Sequence, residues 1–287
     1  MAISFDLKFI GLPRKPINLD RIKEFMADNS TKRINFAYTH KNALKKGDKG
    51  VIGWLNLPFG ESFEYIARRE LNLDIVLFQP RFGNGLYRRI NDEKSFESIS
   101  NFIEKYRDIV FLKDCLDLSI SLSMHESEPG KRTETGQQEY EVKYNSNKKD
   151  TTGEFNALLE KLQYYLETLP YFKDVDYICA IPSSKPFICE MINRLEGFSF
   201  EIISDHVKWE AKSGSLKELT TPEDKLNAID KWGLKIDDDL DLKNKNILLI
   251  DDMYKSGVTM QYVAMKFKKA GASRVFGLTL VKALGNN

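Results

Sequence analysis

Cysteine, histidine and net charge are all scarce in this chain. Three cysteines in 287 residues, Cys115, Cys179 and Cys189, include no CxxC pair, which excludes a disulfide framework and suits a reducing cytoplasm. Cys179 lies in an apolar run and Cys189 on the expected apolar face of the next helix, so both read as small buried hydrophobes. The three histidines, His40, His125 and His206, lack the i, i+4 spacing of a helical metal site, and no protein-held metal is assigned. His125, with Glu126 and Glu128 beside it, reads as solvated. Basic and acidic side chains nearly cancel, 43 against 42, so overall charge does not point to nucleic acid, although a local basic patch is compatible with it. No apolar run is long enough for a membrane helix. The opening stretch to Leu12 is broken by Asp6 and Lys8 and reads as a strand at 3–9 rather than a signal peptide. A cytoplasmic protein without a membrane partner is expected.

What is present is a globular composition: 42% hydrophobic and 30% charged residues. Residues 1–124 mix patterns and read as a small α+β domain of unknown role. Helices are expected at 20–27 and at 95–106, the latter capped by Ser95 with Phe96, Ile99, Phe102 and Ile103 on one face. A strand is expected at 74–78, and Gly83-Asn84-Gly85 signals a hairpin turn. Arg81, Arg88 and Arg89 with Phe78, Phe82 and Tyr87 form a basic-aromatic ribbon, which reads first as a surface hairpin and second as a contact for single-stranded nucleic acid or a phosphorylated ligand; a nucleic-acid or protein partner is also open through the N-terminal half. Residues 125–153 carry almost no apolar side chains and read as a polar linker or mobile hairpin.

From 154 to 287 the pattern is orderly. Helices are expected at 155–169, 185–195 and 259–270, and strands at 176–181, 198–204, 246–250 and 274–281. Apolar strands alternating with helices mean an α/β fold, a parallel sheet with helices on both faces.

The informative segment is Ile247-Leu248-Leu249-Ile250-Asp251-Asp252-Met253-Tyr254-Lys255-Ser256-Gly257-Val258-Thr259. An apolar strand ends in two carboxylates, where ligands bind in open α/β sheets. A short loop then enters a helix. Gly257 permits a tight turn whose amides can converge on a phosphate, and the helix N-terminus adds positive potential. Ser256 and Thr259 add hydroxyls. An anion cradle beside paired carboxylates matches the two ends of a sugar phosphate.

This run resembles the phosphoribosyl-diphosphate-binding motif of type I phosphoribosyltransferases. Lys268-Lys269-Ala270-Gly271-Ala272-Ser273-Arg274-Val275 resembles the helix end and strand that follow it, most similarly in the branch related to competence protein F. The resemblance covers about 155–287. It implies that Asp251 and Asp252 hold the ribose hydroxyls and that Met253, Tyr254, Lys255, Ser256, Gly257, Val258 and Thr259 form the 5-phosphate cradle. It implies that Ser183, Ser184 and Lys185, after Pro182, contact the diphosphate. It also implies a mobile loop at about 207–235 whose cations Lys208, Lys212, Lys217 and Lys225 close over the centre, with Lys208 in the catalytic role. Magnesium would arrive with the substrate, the ligand would be 5-phosphoribosyl diphosphate or a nucleotide, and a homodimer would be ordinary. Two functions stay open: a transferase acting on a nitrogenous base, and a non-catalytic nucleotide sensor or defence-type effector with its output in the N-terminal half.

Overall fold

The computed structural model describes residues 14–48, 50–71, 79–81, 85–169, 171–183, 185–216 and 218–285. The expected strands at 3–9 and 74–78, the turn residues Gly83 and Asn84, and Phe78, Phe82, Ser184 and Lys217 lie outside these residues.

The chain starts with α1 (Leu19–Ala27), capped by Asn18, whose side chain accepts from Arg21 N–H at 2.8 Å. After β1 (Arg33–Ile34), the strands β2 (Leu44–Lys46), β3 (Gly53–Leu57), β4 (Gln79–Arg81) and β5 (Gly85–Ile90) form an antiparallel sheet in the order β2-β3-β5-β4. Its helices are α2 (Phe63–Leu71) and α3 (Glu93–Lys105). The expected hairpin is the β4–β5 pair, with Gln79 opposite Tyr87. The cap of α3 is Asp92 rather than Ser95: the Asp92 carboxylate accepts Ser95 N–H at 2.7 Å. Two capping residues lie three apart there, and the carboxylate is the better acceptor for the helix end.

The main sheet has seven strands. β6 (Val110–Leu112) and β7 (Leu118–Met124) come from the first half of the chain. β10 (Tyr177–Ala180), β11 (Glu201–Ile202), β14 (Asn246–Tyr254) and β15 (Arg274–Lys282) come from the second. The order is β1-β6-β7-β15-β14-β10-β11. From β7 to β11 neighbouring strands are parallel; β6 and β1 extend the sheet antiparallel. Alternate residues of the central strands face two cores. Leu248, Ile250, Phe276 and Leu278 pack on the side of α5 (Thr152–Thr168) and α6 (Phe187–Asn193), together with α2 and α3. Ile247, Leu249 and Val275 pack on the side of α1, α7 (Pro222–Trp232) and α8 (Val258–Lys269). The expected α/β class, with helices on both faces, is observed.

Two expectations change. First, residue 124 does not divide two independent units. β7 pairs in register with β15 from Phe276↔Leu118 to Lys282↔Met124. One apolar cluster joins Leu55, Phe63 and Ile120 of the first half to Leu248 and Leu278 of the second. Second, the polar run is not a linker. It folds into the short ribbon β8 (Glu126–Glu128) and β9 (Lys131–Arg132), then α4 (Glu134–Asn145). Thr133 caps α4 by accepting Gly136 N–H at 3.0 Å. The buried side of α4 is Thr135, Gly136, Glu139 and Val142. That is helical spacing written mostly in polar letters, which apolar periodicity does not detect. A Cβ at Gly136 would stand 2.0 Å from the His125 carbonyl oxygen, so glycine lets α4 lie against the end of β7.

The region 207–235 is likewise built rather than loose. It contains the β12 (Val207–Trp209)–β13 (Leu234–Ile236) ribbon and α7, which buries Leu226, Ile229 and Trp232. Every third or fourth position of α7 is apolar, enough for one stripe within a polar segment. No helix among the described residues is long and apolar enough to cross a membrane.

Candidate phosphoribosyl-binding site

β14 continues past its apolar run: Asp251 pairs with Thr279, and the ladder reaches Tyr254 opposite Lys282. Both carboxylates therefore sit on rigid strand rather than in the loop beyond it. The turn that follows is fixed by Gly257, whose φ of 73° is left-handed. A Cβ there would come within 2.1 Å of the Tyr254 hydroxyl. That hydroxyl is itself held, donating to Asp114 at 2.9 Å in the loop before β7. Burial raises the pKa of Asp114.

Behind the same loop lies Lys282, fully buried at the end of β15. Its ammonium donates to the carbonyls of Lys255 at 3.3 Å, Ala283 at 2.7 Å and Gly285 at 2.5 Å. Burial, with some help from Arg33 and Lys32, lowers its pKa to about 7. α8 then opens with no acidic residue in its first turn. Its leading amides have no carbonyl one turn earlier in the helix, so this end is suited to an anion.

The carboxylates meet a partner from the polar run. Lys143, in the last turn of α4, contacts Asp252 at 2.5 Å and Glu139 at 3.1 Å. Glu139 is 0% exposed, and His125 stands 3.7 Å from its other oxygen. Burial disfavours the Lys143 ammonium, but Asp252 and Glu139 together override this and raise its pKa. Burial raises the pKa of Glu139 and lowers that of His125. His125 is therefore not the solvated linker residue expected from its acidic neighbours; the fold of 125–145 turns it toward Glu139. Asp251 is raised well above the ordinary carboxylate range, first by burial and then by the Asp252 charge. Its Oδ1 accepts Asp252 N–H at 2.9 Å.

A cavity of about 420 Å³ gathers Asp251, Asp252, Thr259, Ser183, Lys185 and Lys143. Trp209, Trp232 and Lys212 also line it. Trp209 Nε1 donates to the Pro182 carbonyl at 2.9 Å, which ties the β12–β13 ribbon to the loop after β10. The expected Asp251, Asp252, Ser183, Lys185 and Thr259 thus come together. Tyr254, Gly257 and Val258 are buried behind them, Met253 packs into the core, Ser256 is half-buried, and Lys255 points to solvent. Ser184 is outside the described residues. Lys208 is exposed on β12 and does not line the cavity, whereas its neighbour Trp209 does, because side chains alternate along a strand. Lys225 is on α7 and also does not line it. The sequence reading missed Lys143, Glu139, Trp209, Trp232 and Lys282. For Lys143 the available signal was the polar i, i+4 pair Glu139 and Lys143. His206, just before β12, comes together with Asp237 and Asp239, just after β13, away from this cavity.

No family model matches the chain, and no curated protein matches it in sequence. Among solved structures it is similar to a hypoxanthine-guanine phosphoribosyltransferase from Bacillus anthracis, at 17% identity over 45% of this chain and 67% of that one, with a TM-score of 0.29. It is similar to a hypoxanthine phosphoribosyltransferase from Staphylococcus aureus, at 16% identity over 45% and 62% of the two chains, with a TM-score of 0.30. It is also similar to a purine phosphoribosyltransferase from Pyrococcus horikoshii, at 19% identity over 44% and 71%, with a TM-score of 0.28. The chain therefore spans less than two thirds of the Staphylococcus aureus enzyme, and less than half of it takes part in any of the three likenesses. At these identities and scores the likeness is one of local fold and is no measure of activity.

Proposed function

We propose that the protein binds 5-phosphoribosyl diphosphate with magnesium and transfers the phosphoribosyl group to or from a nitrogenous base. The observation that carries this is the meeting, in one cavity, of the Asp251–Asp252 pair, the helix end at Thr259 and the Ser183–Lys185 loop. The α8 amides and the Thr259 hydroxyl hold the 5-phosphate. Asp251 and Asp252 accept hydrogen bonds from the ribose hydroxyls, Asp252 exchanging part of its contact with Lys143. Ser183, Lys185 and Lys143 stabilise charge on the departing diphosphate. Trp209 and Trp232 exclude water from the reacting carbon, and Lys212 rather than Lys208 supplies the closing cation. Hard oxygen donors in the lining, Asp251, Asp252 and Ser183, fit magnesium, which would neutralise charge on the leaving group while held mainly by substrate oxygens. The likeness to the competence protein F branch rests on 251–259 and 268–275, and a cytoplasmic protein, with dimerisation an ordinary expectation, goes with this reading.

The test is calorimetry with 5-phosphoribosyl diphosphate and magnesium, alongside diphosphate release with a panel of bases. Asp251→Asn with Asp252→Asn should lower affinity about a hundredfold or more, from two charge-assisted hydrogen bonds at about 1.5–3 kcal/mol each. Unchanged affinity in the folded double variant would refute the reading. A second reading, a nucleotide sensor without turnover, is favoured by the Lys143–Asp252 pair, because the ribose carboxylate already carries a cation. Binding without diphosphate release for any base would select it. In that reading the N-terminal sheet provides the output surface, and the row Lys45, Trp54 and Arg89 across β2, β3 and β5 suits a nucleic acid.

A further inference from the structure

A second cavity of about 500 Å³ adjoins the first and shares Lys143 and Lys185 with it. It lies among α4, α5 and α6, and its remaining polar wall includes Ser146, Thr152 and Arg194. The ion pairs of Lys143 are committed to Asp252 and Glu139. Lys185 and Arg194 are different: neither has a carboxylate within 4.0 Å among the described residues. Lys185 donates to the Lys143 carbonyl and stands 4.3 Å from the Tyr144 ring centroid. Arg194 lies 4.6 Å from the Phe155 centroid, a cation–π contact that fixes its position and leaves its charge unneutralised. Glu190 is the acidic residue of the lining, one helical turn before Arg194, and it makes no ion pair with it.

We infer that this second cavity receives an acceptor carrying an oxyanion, a carboxylate or a phosphate, so that the substrate class is an anionic nitrogen nucleophile. The inference rests on the phosphoribosyl reading of the first cavity. A site for a neutral base needs donors and acceptors matched to its edges and a flat apolar slot. Here the cavity offers Arg194 without a carboxylate partner, the hydroxyls of Ser146 and Thr152, and Lys185 at the junction with the diphosphate side, a set that attracts an oxyanion more strongly than a neutral base. The shared lysines place the junction of the cavities beside the ribose carboxylates. In the step itself the acceptor nitrogen forms its bond to C1 of the ribose as the C1–O bond to diphosphate breaks. Diphosphate leaves with the bonding pair; an acceptor nitrogen that carries a proton gives it up to solvent, whereas a pyridine nitrogen carries none and becomes a cationic pyridinium.

Matched pairs test this: orotate against uracil, and nicotinate against nicotinamide, titrated calorimetrically with 5-phosphoribosyl diphosphate and magnesium present and again with the protein alone. Inorganic phosphate serves as a competitor, and strong competition would mark phosphate as the better oxyanion. We expect the carboxylate member of at least one pair to bind tenfold or more tightly than its neutral match. Arg194→Ala should abolish that preference while leaving the affinity for ribose 5-phosphate unchanged, and Arg194→Lys should retain part of it. Arg194 is exposed, so these variants should fold. Equal affinity within both pairs overturns the inference, as does a preference that survives Arg194→Ala. Loss of 5-phosphoribosyl diphosphate affinity in Arg194→Ala also overturns it, because the cavity would then be part of the diphosphate site. If 5-phosphoribosyl diphosphate fails to bind but the carboxylate preference persists in the protein alone, the cavity stands and the phosphoribosyl reading falls.

Discussion

β14 with its loop and helix, and α4 with its lysine, reach the same cavity by opposite routes. In the first, strand, carboxylates, glycine turn and helix end follow one another within fourteen residues, and each step is dictated by its neighbours. In the second, a stretch with few apolar residues folds because it has something to lie against: a cap at Thr133, a glycine that clears His125, and a charge pair reaching Asp252. Chemistry written contiguously can be read before folding. Chemistry assembled by packing has no linear signature.

The largest effect should come from separating the halves. A fragment of residues 150–287 keeps β14, α8 and β15 but removes β7, whose Leu118, Ile120 and Leu122 are each 0% exposed. Burying each such side chain is worth about 1.5–3 kcal/mol, and β15 would gain an open, apolar edge. Against a total stability of about 5–15 kcal/mol, the loss should leave the fragment insoluble or unfolded. Soluble expression and circular dichroism measure it, and a folded fragment would restore the division at residue 124. In the intact protein, limited proteolysis should spare 134–145, since that segment is capped helix.

Next is the cradle itself. Gly257→Val places branched carbons where even a Cβ lies 2.1 Å from the Tyr254 hydroxyl, at a left-handed φ. Affinity for ribose 5-phosphate should fall more than tenfold. Lys255→Ala should change it less than threefold, because that side chain is exposed and its carbonyl, not its ammonium, is held by Lys282. The reverse order in calorimetry would mean that side-chain charge, rather than backbone, binds the phosphate.

A change in stability rather than affinity sharpens the role of α4. Lys143→Met leaves Glu139 buried without its cation, and breaking a buried pair costs about 3–5 kcal/mol. Adding Glu139→Gln should recover most of it, because the remaining group is then neutral. Chemical denaturation of the two variants reports the difference. If the double variant is no more stable than the single one, the pair contributes packing and not charge.

The parts of the molecule that reasoning from residues reached are those where a single period dominates: the apolar strands at 247–250 and 275–281, the stripe of α5, and the loop around Gly257. Three things lay beyond it, each for a physical reason. α4 buries Thr135 and Glu139, which look solvated until their partners are known. α7 has its stripe in a segment rich in charge, so periodicity was diluted. The sheet recruits β7 across the chain, and parallel pairing leaves no local mark, because partners on Leu118–Met124 and Arg274–Lys282 are 158 residues apart.

The last and smallest effect concerns the group behind the cradle. Lys282 is buried, and its pKa in the fold is lowered to about 7, against about 10.4 in an unfolded chain. Between those two values the unfolded chain holds a proton that the folded protein has released, so stability rises with pH across about 7 to 10 and the gain is absent below 7. The carbonyls of Lys255, Ala283 and Gly285 bind the ammonium and moderate the effect. Lys282→Met removes the titrating group, so the difference in unfolding free energy between wild type and variant should shift in favour of wild type as pH rises from 7 to 10. Denaturant melts at about pH 6, 8.5 and 10.5, which bracket that window of about 7 to 10, give the comparison. A difference independent of pH would mean that Lys282 stays charged throughout, held by its three carbonyls, and that the loop carries a permanent cation beneath the phosphate position.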